Sequence, residues 1–197
     1  MKKLLSLSLV LFATYFSFAS DQPDTNGPQI RNPHSESLFN GKDLTGWVVM
    51  NHGSFLVTNG LLRLTGGKGW LRTTSQFTDF IFEAEWRALD SGYDSGFFVR
   101  ARSDGDPWPD DVWQINLDRR AIGALVKGTK TVVPAETPPM PLNQWVKFRI
   151  EARGSKLTLD VNGERAWEFN AFDARPGYIG IQAEGKAFEF RDIRIAF

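Results

Sequence analysis

The chain has 197 residues, 42% of them hydrophobic and 13% aromatic, with 23 basic and 23 acidic side chains and a formal net charge of zero. That balance gives no electrostatic ground for nucleic acid or an anionic membrane surface as partner and points to a neutral ligand. Cysteine is absent, so there is no disulfide or cysteine-based metal site to help, and one large apolar core must hold the fold.

The first residues read Met1-Lys2-Lys3, then an apolar run from Leu4 to Phe16, then Ser17-Phe18-Ala19 ahead of the polar Ser20-Asp21. A basic start, a short apolar stretch and small residues at the boundary predict a secretory signal peptide over residues 1–19. The run is shorter than the roughly 20 residues a membrane span needs, and no cysteine follows it to carry a lipid. Export to the periplasm or the medium is the expected address. Residues 20–36 are rich in Pro, Asn, Asp, Ser and Gln and predict a flexible leader, since they hold too little apolar surface to order themselves. A single domain is expected over residues 37–197.

Beyond the leader, strands and tight turns dominate. Asn59-Gly60 lies between Phe55-Leu56-Val57 and Leu61-Leu62-Arg63-Leu64, and Asn162-Gly163 lies between Leu157–Val161 and Arg165–Phe169; both are hairpin signals. Alternation of period two sets Phe80, Phe82, Ala84 and Trp86 against Glu83, Glu85 and Arg87, and Phe97, Val99 and Ala101 against Arg100 and Arg102. Further on it sets Trp113, Ile115 and Leu117 against Gln114, Asn116 and Asp118, and Val146, Phe148, Ile150 and Ala152 against Lys147, Arg149, Glu151 and Arg153. Asp104–Asp111 and Pro134–Pro141 read as loops, because proline removes ladder donors. No long helical period is present. These features predict an all-β fold, an antiparallel β-sandwich of about a dozen strands whose first and last strands pair or sit close.

Two segments carry a further signal: Ser37-Leu-Phe-Asn-Gly-Lys-Asp-Leu-Thr-Gly-Trp47 and Gly177–Ile195. With Gly69-Trp70-Leu71, Glu85-Trp86-Arg87, Ser95–Ala101, Gly105–Trp108, Gln114-Ile115 and Gly123-Ala124-Leu125 between them in order, the chain resembles the bacterial 3-keto-disaccharide hydrolase domain family. The resemblance implies a concanavalin A-like jelly roll and carbohydrate chemistry on sugars oxidised at C3. A ketone at C3 acidifies the C2 proton; a base removes it, the glycosidic oxygen leaves C1, and water adds to the enone. The expected partner is a small carbohydrate, a 3-keto-glycoside, without a cofactor.

The outward polar sets supply the candidates. Glu184, Glu85 and Arg100 are the expected catalytic groups, with Gln114, Asn116, Gln182, Trp108, Trp70 and Arg87 expected to bind substrate in one pocket on a concave face. Lys147, Arg149, Glu151, Arg153, Thr158 and Asp160 are expected on the opposite, solvated face. Of the aromatic residues, Trp108 in its proline-rich loop reads as a sugar-stacking platform, Trp113 as core, and Trp70 as either. The chain departs from the family pattern at Val112, where many members carry Glu, and at Glu184, where many carry His. The alternative to an enzyme is a non-catalytic carbohydrate-binding or accessory module. An ordinary glycosidase built on Glu83 and Glu85 is disfavoured, because alternate residues of one strand stand roughly 7 Å apart, wider than a retaining pair requires. His34 and His52 show no metal-ligand spacing. A calcium ion on Asp104, Asp106, Asp110 and Asp111 is not indicated, since the ligand order of a calcium loop is missing.

Overall fold

The computed structural model describes residues 35–197; the stretch read as a signal peptide, and the part of the stretch read as leader up to His34, lie outside the described residues. Thirteen strands follow in chain order. They are β1 (Ser35–Ser37), β2 (Trp47–Thr58), β3 (Leu61–Thr73), β4 (Phe80–Ala88), β5 (Gly96–Ala101), β6 (Trp113–Asn116), β7 (Leu125–Lys127), β8 (Lys130–Val133), β9 (Val146–Arg153), β10 (Lys156–Val161), β11 (Glu164–Phe169), β12 (Tyr178–Glu184) and β13 (Phe188–Ala196). There is no helix among the described residues. Ser35 and Glu36, the last two residues of the stretch read as leader, belong to β1, which pairs with β13 from Ser35↔Ala196 to Ser37↔Arg194.

All pairings are antiparallel, and the hydrogen-bonded order is β11-β10-β9-β4-β13-β3-β12-β5-β6-β7-β8. The long strand β3 joins the two layers of this path: Leu62–Leu64 pair with β13, whereas Lys68–Arg72 pair with β12. Strand β2 follows β3 along its other edge, with a register shift between Ser54 and Phe55 where the hairpin passes from one layer to the other. The two predicted Asn-Gly turns close the β2–β3 and β10–β11 hairpins, both Asn residues having positive φ.

Between the layers lies the core that the alternation predicts. Phe80, Phe82, Ala84 and Trp86 of β4 meet Phe97 and Val99 of β5, Trp113 and Ile115 of β6, Phe148 and Ile150 of β9, and Ile179 and Ile181 of β12. Edge-on aromatic contacts run through it, including Trp86–Phe148 at 5.6 Å and Phe82–Phe97 at 5.3 Å. Each buried ring is worth about 1.5–3 kcal/mol relative to exposure, which is how a cysteine-free domain holds together.

The outer face of the β11–β3 layer is a charge lattice. Lys147 Nζ lies 3.0 Å from Glu83, Arg191 2.7 Å from Glu85, and Arg87 Nε donates to Glu189 at 2.8 Å. Trp145 lies between the guanidinium groups of Arg87 and Arg191, at 4.5 and 4.1 Å. This corrects one expectation. Glu85 and Arg87 share a face with Lys147 and Arg149, the set read as opposite, since β4 and β9 are neighbours in one layer. Alternation tells which way a side chain points from its own strand, and not to which layer that strand belongs.

Candidate functional site

The outer face of the other layer is built differently. Across β12 and β5, Ile181 faces Phe97 and Gly180 faces Phe98; the same register, continued, sets Gln182 beside Gly96 and Glu184 beside Asp94. Across β5 and β6, Gly96 faces Asn116, and hydrogen bonds from Leu117 N to Ser95 O and Arg119 N to Tyr93 O carry the pairing on to Asp94 and Asp118. Glu184 also faces Lys68 of β3. One row therefore reads Lys68, Glu184, Asp94, Asp118, and the next reads Trp70, Gln182, Gly96, Asn116. Neighbours in a row stand about 4.8 Å apart.

Gly96 is the opening that lets these rows communicate. A side chain there would overlap the Gln114 amide, which instead lies across the glycine. Gln114 Nε2 donates to Gln182 Oε1 at 2.7 Å and to Ser95 O at 3.3 Å, and Gln182 Nε2 donates to Glu184 Oε2 at 2.7 Å. Both amides are buried, so the chain of donors fixes their orientation and delivers an N–H to Glu184. Burial raises the Glu184 carboxyl above the usual range, and the charges of Asp94 and Asp118 raise it further against the pull of Lys68. Asp94 is likewise raised, by burial first and then by Asp118. Asp118 is lowered, chiefly by its hydrogen bonds from Arg120. Two adjacent carboxyls raised by burial and mutual charge, beside one lowered by its Arg120 partner, place groups able to take up or give a proton within one row.

Four of the expected residues thus come together: Glu184, Gln182, Gln114 and Asn116. Lys68 and Asp94 complete the face and escaped the sequence reading. Asp94 could have been found by extending the alternation of Gly96 and Phe98 backwards by one more pair, through a segment that reads as a turn.

Arg100 does not join them. The β5–β12 register shifts between Tyr178 and Gly180, and Arg100 itself has a φ of +48°, so this bulge reverses the alternation after Phe98. Its side chain is turned inward and is 1% exposed. It donates to the carbonyls of Thr78 (2.7 Å), Gly154 (2.7 Å) and Asp173 (2.6 Å) and pairs with Asp79 at 3.2 Å, with Phe172 4.5 Å below the guanidinium. It ties three loops together at one end of the sandwich.

The aromatic residues also differ from expectation. Trp70 is fully buried and Trp108 half-buried, and with Phe98, Ala101 and Val112 they form a second apolar cluster outside the main core. Phe98 stands edge-on to Trp70 at 5.6 Å and lies 6.4 Å from Trp108. Neither ring is an open platform. Trp113 is core, as read. Val112, where a family Glu was expected, packs into the second cluster. Among the described residues no group of three or more His, Cys, Asp or Glu side chains converges on a metal position.

The comparisons agree with this architecture. No curated protein matches the chain in sequence. Among solved structures, a protein of Parabacteroides distasonis ATCC 8503 provisionally named a glycosyl hydrolase is similar at 19% identity, covering 82% of this chain and 93% of that one, with a TM-score of 0.69. A carbohydrate-binding module from Bacillus subtilis is similar at 15% identity over 77% and 96%, TM-score 0.62. The Emp47p carbohydrate recognition domain is similar at 15% identity over 86% and 99%, TM-score 0.59. At these identities the likeness is one of fold, a lectin-type jelly roll. The family model described as a 3-keto-alpha-glucoside-1,2-lyase-like domain matches residues 34–196, nearly the whole of the described chain, and the protein belongs to that family.

Proposed function

We propose that the protein cleaves glycosides of sugars oxidised at C3, outside the cytoplasm, with Glu184 as the base that removes the C2 proton. The observation that carries this reading is the Gln114–Gln182–Glu184 relay beside Asp94. An ionised Glu184 takes the proton from C2, and the electron pair left behind is delocalised into the C3 ketone as an enolate. Collapse of the enolate forms the C1–C2 double bond and breaks the C1–O bond; a protonated Asp94 gives its proton to the departing oxygen. Addition of water at C1, with return of a proton to C2, makes the sum a hydrolysis. Without that addition it is an elimination. A base whose pKa is raised toward the working pH is the more effective one.

Asn116 and the exposed Lys68 flank the carboxyls as hydrogen-bonding groups for a neutral polyol. The test is release of the aglycone from an aryl 3-keto-glucoside. Release by the parent and its loss in Glu184→Gln support the assignment; sugar binding without release from any 3-keto substrate supports the second reading, a non-catalytic module, which the likeness to a carbohydrate-binding module favours.

A further inference from the structure

An asparagine followed by glycine can do more than turn a hairpin. With no side chain to shield it, the glycine nitrogen is open to attack the asparagine Cγ, and three such pairs stand among the described residues: Asn40-Gly41, Asn59-Gly60 and Asn162-Gly163. Two of these side chains are aimed elsewhere. Asn40 Oδ1 accepts the backbone N–H groups of Lys42 at 2.8 Å and Asp43 at 3.0 Å, and its Nδ2 donates to Asp43 Oδ1 at 2.7 Å. That last bond is the largest cause holding the Asp43 carboxyl down at about 2. Asn162 Oδ1 accepts the N–H of Lys147 at 2.9 Å while its own backbone N–H returns to Lys147 O at 2.8 Å, so the β10–β11 turn is pinned to β9 at two points. The Asn59 side chain is exposed and makes no hydrogen bond among the described residues.

The backbone of the turn cancels when Asn59 is compared with Asn162, since both lie in two-residue hairpin loops with φ of +51° and +52°. What differs is the bond that must break before the amide carbon can swing onto the following nitrogen. We propose that Asn59 is a site of spontaneous covalent modification, the first of the three to deamidate, and that its isoaspartyl product loosens the β2–β3 hairpin. The Gly60 nitrogen, giving up its proton to solvent base, forms a bond to Asn59 Cγ; the Cγ–Nδ2 bond breaks, Nδ2 leaves as ammonia, and a five-membered succinimide remains. Water then opens either carbonyl of the ring, so asparagine and water give ammonia and either aspartate or isoaspartate. Aspartate fits, because Asp-Gly suits this turn as Asn-Gly does. Isoaspartate does not, because the main chain then runs through the side-chain carbon and is one atom longer. The length of this loop sets the pairing of Thr58 with Leu61 and the register of β3, the strand that joins the two layers. None of this depends on the sugar chemistry proposed above.

The test is to age the purified protein in mildly alkaline buffer and follow conversion by peptide mass spectrometry. Trypsin releases each Asn-Gly in a peptide of its own, including Asn26-Gly27 of the stretch read as leader. Asn59 converts about fivefold faster than Asn162, the ratio that one hydrogen bond sets, and faster again than Asn40 with its three. In denaturant the three rates draw together. Asn162 or Asn40 keeping pace with Asn59 in the native protein overturns the assignment. So does a lead of Asn59 that persists unchanged in denaturant, or an Asn59 that stays intact natively while the denatured chain converts. Thermal melting is the second readout. Asn59→Asp melts with the parent, the aged parent melts a few degrees lower as isoaspartate accumulates, and Asn59→Gly, which the left-handed turn accepts, ages without that fall. An aged parent rich in isoaspartate at position 59 that still melts with the fresh protein overturns the loosening of the hairpin, as does an aged Asn59→Gly that falls as far as the aged parent.

Discussion

Replacing Arg100 by Ala should destabilise the fold and leave the chemistry of the folded molecule almost untouched. The guanidinium satisfies three backbone carbonyls and one carboxylate, from Thr78, Gly154, Asp173 and Asp79. Truncation leaves the carbonyls without their donor, at about 1 kcal/mol or more each, and opens a space above Phe172, for a sum of about 3–5 kcal/mol. For a domain of this size each kcal/mol moves the melting temperature by about 2–4 °C, so a fall of about 10–15 °C is expected. Part of the effect is shared by Arg100→Lys, which keeps the charge but has no planar fork to reach four acceptors. Thermal melting by circular dichroism gives the stability, and aglycone release well below the melting point gives turnover per folded molecule, which should stay within about threefold of the parent. An Arg100→Ala protein that melts within about 3 °C of the parent but has lost a hundredfold in turnover would refute this reasoning and return Arg100 to the active site.

Glu184→Gln keeps the shape of the relay and removes the base, so turnover should fall by about 10²-fold or more, with a melting temperature at neutral pH no lower than the parent's. Because burial and the neighbouring carboxylates raise the Glu184 carboxyl, the acid limb of the rate–pH profile should lie above that of an ordinary Glu, and Asp94→Asn should move it down. The same raised group favours the folded state below its unfolded pKa, and this contribution is lost as pH rises through the folded value, a sign that denaturant titrations of parent and Glu184→Gln across acid pH will check. Gly96→Ala would overlap Gln114 from Cγ to Nε2 and push that side chain off the glycine; melting should move by a few degrees while turnover falls about tenfold. Glu85→Gln breaks a partly exposed pair with Arg191, worth about 0–1 kcal/mol, and should leave turnover unchanged.

How much of this was legible in the sequence depends on how local each determinant is. The two Asn-Gly hairpins, the apolar stripe of β4 and the pairing of the chain's first and last strands follow from patterns within a few residues or from the family segments. Gln114, Asn116, Gln182 and Glu184 were placed on one face because their strands carry no irregularity between the aligned segment and the side chain. Arg100 fails by a single bulge residue, and a bulge on β5 is set by its partner Tyr178–Gly180, almost 80 residues away. Glu85 and Arg87 fail for a different reason, since their orientation was right and only the layer was wrong. Trp70 could be read either way because its burial depends on a loop that returns from β5 to β2, a closure no local pattern encodes.

The single path of strands that β3 bends from one layer into the other has a further consequence for a chain that has no disulfides. A sandwich made of two separate sheets has four open edges along which another chain could add a strand; here β3 and its neighbours turn two of those edges into a fold of one ribbon. The margins that remain are each made unattractive to an incoming strand. Strand β1 has only three residues and β8 four, β11 carries Glu164, Arg165 and Glu168 and shifts register against β10, and β2 is broken by the left-handed Asn51 and the offset at Ser54. The bend that brings the two layers face to face therefore also guards the molecule against edge-to-edge aggregation, and straightening it would put both at risk together.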